Sequence, residues 1–110
     1  MNGYELITRA AALIGMEKAD DTLKIIGLPL VNAVLEELGF TVLSSLSERV
    51  GIISQKQTSA LLFGLAALIA SAVGDDAASS TMSAAYKKRL SALKSSTARV
   101  KDRLPRGDWL

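Results

Sequence analysis

Two short strings in this sequence have the form of chemical motifs, Gly74-Asp75-Asp76 and Arg106-Gly107-Asp108. Adjacent carboxylates after a glycine can hold a catalytic metal. That use requires a strand-turn-strand frame with further carboxylates, whereas these residues lie between two helical patterns. The expected role of Asp75 and Asp76 is to start a helix, where carboxylates complement the positive end of the dipole. Arg106-Gly107-Asp108 reads as an exposed turn, because so short a string arises often by chance and nothing else suggests an exported protein. The chain opens MNGYELITRA, with Glu5 and Arg9 where a secretory signal would place a basic start and an apolar run.

Glu36 and Glu37 are neighbours on a helical pattern and so point about 100° apart, too far to share a metal or divide acid and base roles without other partners. They read as a solvated face. The sequence contains neither cysteine nor histidine. This removes disulfides, thiolate and imidazole metal ligands and most nucleophile-base pairs. No glycine-rich phosphate loop is present. The expectation is a protein without enzymatic activity, with no catalytic residues, no cofactor and no bound metal.

The remaining chemistry is electrostatic. Through Lys56, five basic residues face seven acidic ones, a net of −2; beyond it eight face four, a net of +4. Lys87, Lys88, Arg89 and Lys94 crowd one segment, a footprint suited to phosphates or to an acidic protein surface, with a solvated helix face as the competing reading. Trp109, the only tryptophan, closes the chain with Leu104 and Leu110 near it. An aromatic anchor there suits a partner surface; folding back onto its own domain is the alternative.

These residues need a scaffold, and 110 residues with 49% hydrophobic but only 5% aromatic content predict one domain with an aliphatic, alanine-rich core. The pattern is all-α: a compact bundle of about four helices over residues 1–97 and an extended basic tail over 98–110. Asn2 and Glu5 form a capping box for a helix from Gly3 to Ile14, stopped by Gly15. A second helix follows Asp20 or Asp21, with Leu23, Ile26, Leu30, Val34 and Leu38 as its stripe and Gly39 as its end. Pro29 predicts a kink or restart near Gly27 and Leu28. Asn32, near its apolar side, either ties down a loop or faces solvent.

Residues 40–56 read as a packed connection with a helical turn from Ser45 to Val50, and Ile52 and Ile53 could pair with a strand. Next comes SALLFGLAALIASAVGDD, capped by Gln57, Thr58 or Ser59 and stopped by Gly74. Its uncharged run falls short of the ~20 apolar residues of a membrane span, so the expectation is a buried central helix. Leu61, Leu65, Leu68 and Ile69 form a large-residue face. Ala60, Gly64, Ala67 and Ser71 form a smooth one that lets another backbone come close, within the subunit or from a neighbour. The fourth helix carries Ala78, Met82, Ala85, Tyr86, Leu90 and Leu93 inward and frays among Ser95, Ser96 and Thr97. Pro105 and Gly107 keep the tail from being a long helix.

Taken in order, GYELITRAAALIG, LVNAVLEEL, LSSLSERVGI, SALLFGLAALIASAVGDD, AAYKKRLSAL and RVKDRLPRG resemble the small helical head-tail connector, or adaptor, proteins of tailed bacteriophages. The resemblance covers nearly the whole chain and lies in order and spacing, not in one motif. Two departures, Phe63 where the family often has tyrosine and Pro29 within the second helix, bear on how the helices cross.

The resemblance implies a structural virion protein at the head-tail interface, assembled in the host cytoplasm. It implies a homo-oligomeric ring, usually a dodecamer, that sits beneath the portal protein, extends the DNA channel and meets a downstream tail or stopper protein. Arg103, Leu104, Pro105, Arg106, Trp109 and Leu110 are then the expected contacts to portal or neighbouring subunit. Lys87, Lys88, Arg89 and Lys94 are candidates to face the channel and its DNA. Two other classes stay open: a small DNA-binding helical module, and a small phage membrane protein of the lysis kind.

Overall fold

Why the chain begins its first helix where it does is visible in two reciprocal hydrogen bonds. The Glu5 amide donates to Asn2 Oδ1 (2.9 Å) and the Asn2 amide to Glu5 Oε1 (3.3 Å), so each side chain satisfies a backbone donor that a helix start leaves free. The computed structural model describes residues 1–16, 21–51 and 54–102, with backbone alone at 21, 22, 24 and 94–102. The fold is all-α, with four helices in the order α1 (Gly3–Leu13), α2 (Asp21–Glu37), α3 (Gln55–Ala72) and α4 (Asp76–Asp102).

Helix α1 buries Leu6, Ile7, Ala10 and Ala11, and Gly15 ends it in the left-handed region at φ 85°. Helix α2 runs unbroken through Pro29, so the chain does not restart near Gly27 and Leu28. Pro29 is exposed, so the carbonyl one turn back that loses its N–H partner lies on the side that water can reach. The glycine beside it has a packing role: a β-carbon on Gly27 would lie 2.2 Å from Ile7 Cδ1, so this position lets α1 and α2 approach. The buried stripe of α2 is Leu23, Val31, Val34 and Leu35, while Ile26, Leu30 and Leu38 are only partly covered. The core-facing line is therefore turned by about one residue from the expected stripe.

The connection after α2 is tied to both neighbouring helices. Asn32 donates through Nδ2 to the Leu43 carbonyl (2.9 Å) and accepts the Leu43 amide at Oδ1 (2.7 Å), settling its role as a loop tether. The Tyr4 amide donates to Leu46 O and the Val50 amide to Met1 O, so the connection wraps the start of α1, with Leu43 and Leu46 buried. The expected helical turn at Ser45–Val50 is a single tight turn closed by Glu48 N to Ser45 O. Arg49 beyond it pairs with Asn2 as an isolated antiparallel bridge. Ile52 and Ile53, for which strand pairing was expected, lie outside the described residues.

Helix α3 begins earlier than expected. Its cap is Ser54, not Gln57, Thr58 or Ser59, and Gln57 completes a second capping box with it. The helix packs on all three others, whereas among the described residues the backbone of α4 comes close to α3 only and reaches α2 through the Tyr86 side chain. Leu61, Leu65 and Ile69 of α3 are fully buried alongside Leu6, Ile7, Leu23, Val31 and Leu35. Each such side chain contributes roughly 1.5–3 kcal/mol through its removal from water. Gly74, at φ 81°, ends α3, and Asp75 opens α4 by accepting the Ala78 amide at Oδ1 (3.1 Å).

Helix α4 also departs from expectation at its far end. It continues through Ser95, Ser96 and Thr97 to Asp102. Those residues cost only a few tenths of a kcal/mol each in a helix, and the first strong breaker after them is Pro105. Residues 103–110 lie outside the described residues.

Candidate functional site

The smooth face of α3 is occupied by its own chain. Ala60, Gly64 and Ala67 are buried, and Ser71 is exposed. The Tyr86 ring of α4 and Val34 of α2 close over Gly64, where a β-carbon would meet Tyr86 Cε1 at 2.8 Å and Val34 Cγ1 at 3.0 Å. A turn further along, Ser79 Oγ donates to the Ala67 carbonyl (3.2 Å). Small residues at these positions let α4 settle close to α3 within one subunit.

The basic cluster divides. Lys87 and Lys88 are exposed, while Arg89 is half-buried and fully engaged inside the chain. Its guanidinium lies 3.9 Å from the centroid of the Phe63 ring, and its Nε donates to Ser59 Oγ (2.9 Å). Arg89 therefore clamps α4 to α3, whereas the two lysines are exposed. The Lys94 side chain lies outside the description, as do the tail residues Arg103, Leu104, Pro105, Arg106, Trp109 and Leu110.

Among the described residues the backbones of α2 and α4 stay apart, and the two helices meet through side chains. Between them, over α3, runs a groove of about 410 Å³. Its floor is Gly64, Ala67 and Leu68, with Ala33 and Val34 on one wall and Leu90 on the other. Glu37 and Lys87 stand on opposite rims, and the Tyr86 hydroxyl spans the gap to donate to Glu37 Oε1. Partial burial, then the hydrogen bond to Glu37 and its negative charge, push the Tyr86 phenol well above its usual range. A phenol held protonated in this way is a hydrogen-bond donor, not a base.

This link escapes a reading by hydrophobic period, which places Tyr86 wholly inside and both Glu36 and Glu37 in solvent. The available signal was the amphipathic nature of tyrosine, whose ring can be covered while its hydroxyl reaches a partner at the edge. Among the described residues, no group of three or more acidic side chains comes together to hold a metal ion. No described helix is long and apolar enough to cross a membrane. Comparison with protein-family models, curated proteins and solved structures finds no match to this chain.

Proposed function

We propose that this chain is a structural virion protein of the head-tail connector kind, which assembles as a homo-oligomeric ring beneath a phage portal and extends the DNA channel toward the tail. The observation that supports the reading is the separation of charge across the fold. The acidic first half supplies α2, whose Glu36 and Glu37 are exposed, the basic second half supplies α4, whose Lys87 and Lys88 are exposed, and the two helices edge one groove over α3. Opposite charge on two separate helices suits a head-to-tail contact in which one copy's α4 meets the next copy's α2, and such contacts can close into rings. In this reading the portal, a downstream tail or stopper protein and the packaged DNA are the other partners.

The test is light scattering and negative-stain imaging of the purified protein, alone and with the portal protein of its phage. Rings or portal-bound rings are expected; a monomer that never joins the portal overturns the proposal. Lys87 and Lys88, exposed side by side on α4, favour one alternative, a small DNA-binding module. That reading requires the isolated chain to bind free duplex with an affinity that falls steeply as salt rises.

A further inference from the structure

We infer that the groove between α2 and α4 receives residues 103–110 of a second copy of this chain. The inference rests on the reading of the protein as a self-assembling ring and names the surface that would join one copy to the next.

The groove and the segment match in chemistry. The Tyr86 ring and Val34 cover Gly64 at the base of the groove, and the depression beside them is bounded by Ala33, Leu68, Ser83 and Leu90, apolar except for the Ser83 hydroxyl. Its volume of about 410 Å³ falls within the ~300–1,000 Å³ of sites that enclose small ligands, so one large aromatic side chain fits. The segment Arg-Leu-Pro-Arg-Gly-Asp-Trp-Leu offers Leu104, Trp109 and Leu110 as apolar anchors. Tryptophan and arginine are the side chains most often found to dominate binding energy at interfaces.

The charges are also complementary. On the α2 side, Glu36 and Glu37 are exposed at a helix C-terminus whose last turn contains no basic residue, so two carboxylates add to the negative end of the dipole. Arg103 and Arg106 supply the opposite sign. On the α4 side Lys87 is exposed, and Asp108 supplies its counterpart.

Reach favours a second copy over the same one. From Lys87 to Asp102 the helix rises roughly 22 Å at about 1.5 Å per residue, carrying the segment away from its own groove. Arg106 lies only four residues past Asp102, at most about 14 Å of extended chain, whereas Tyr86, which holds Glu37, lies roughly 24 Å back along the helix, so the pairing of this arginine with Glu37 cannot form within one copy. A neighbour's segment has no such constraint. An Arg-x-x-Arg segment held by a neighbour is also a head-to-tail contact, the class from which rings are built.

Trp109 is the only tryptophan, so intrinsic fluorescence of the full chain reports on this segment alone. The expected result is a blue shift of Trp109 emission as protein concentration rises, together with growth in sedimentation coefficient. Ala33→Arg, at an exposed wall position, should abolish both with circular dichroism unchanged. Trp109→Ser should abolish the growth in sedimentation coefficient. Mixing Ala33→Arg, which keeps its tail, with a chain lacking residues 103–110, which keeps its groove, should restore the blue shift.

The inference is overturned if emission is independent of concentration, if it is already blue-shifted at the highest dilution, or if the shift survives Ala33→Arg. A shift that appears only on addition of the portal protein also overturns it. Light scattering on the same samples separates the two proposals: rings without the Trp109 shift leave the ring reading standing and remove this one, whereas failure to assemble alone or with portal removes the ring reading itself.

Discussion

The ring of Tyr86 stands so close to Gly64 that a β-carbon at that glycine would lie 2.8 Å from Cε1 and 2.9 Å from Cδ1. The ring cannot easily retreat, because its hydroxyl is fastened to Glu37 across the groove. Gly64 is thus required by packing, even though glycine inside a helix costs about 1 kcal/mol relative to alanine.

Gly64→Ala is predicted to destabilise the fold. Overpacking a tight contact costs about 1–3 kcal/mol, against the ~1 kcal/mol gained in helix propensity, so the net loss should be up to about 2 kcal/mol by urea denaturation. In a Tyr86→Ala background the same substitution meets only Val34, and the loss should be smaller. An equal loss in both backgrounds would show that Tyr86 is not what Gly64 accommodates.

The Tyr86 phenol titrates above its ordinary range in the folded chain, which gives a prediction for alkaline pH. Above about pH 10 the unfolded chain releases the phenolic proton while the native chain retains it. The native state then binds more protons than the unfolded one, so stability falls as pH rises further. Below about pH 10 the contribution is fully present. Thermal melts of wild type and Tyr86→Phe should therefore converge as pH rises above that point; parallel curves would remove the Tyr86–Glu37 link from the energetics.

Asn32 makes two hydrogen bonds to the backbone of a single buried residue, Leu43. Asn32→Ala leaves the Leu43 amide and carbonyl without those partners, and is predicted to cost about 2–4 kcal/mol, since each stranded group costs roughly 1–3 kcal/mol. Asn32→Asp keeps an acceptor for the amide but turns a carboxylate oxygen toward the Leu43 carbonyl. It should be as harmful at neutral pH and recover partly in acid, when a protonated carboxyl can donate. Hydrogen exchange at the Leu43 amide reads the outcome directly; protection unchanged in Asn32→Ala would refute the tether.

The first helix was legible because Asn2 and Glu5 carry their caps in the sequence and Gly15, Gly39 and Gly74 mark three of the helix ends with positive φ. The start of α3 was equally written, as Ser54 and Gln57, but Lys56 inside that box obscures it when an uncharged run is taken as the helix. Pro29 does not end the helix because a proline breaks one only if the freed carbonyl and the ring have nowhere to go, and its exposure decides that in three dimensions. The Tyr86–Glu37 link and the Arg89–Phe63 stack join residues far apart in the chain. Periodicity reports which face of a helix is covered, not which side chains of other helices lie over it.

Arg89, Lys87 and Lys88 are adjacent in sequence and separable by experiment. Arg89→Lys keeps the charge but loses the planar stack on Phe63 and the Nε bond to Ser59, and should cost about 1 kcal/mol of stability with little change in any DNA binding. Lys87→Gln with Lys88→Gln should leave stability within about 0.5 kcal/mol, as expected of exposed surface positions. If the two lysines meet phosphates, the slope of log affinity against log salt should become shallower by about 1.8, close to 0.9 for each phosphate that is no longer neutralised. If instead they meet an acidic flank of a neighbouring copy, DNA binding stays as it was and the salt dependence of self-association changes. Parallel titrations with duplex DNA and by sedimentation decide which surface the lysines serve, and an Arg89→Lys variant that alters the DNA slope as much as the double lysine variant would contradict its assignment as an internal clamp.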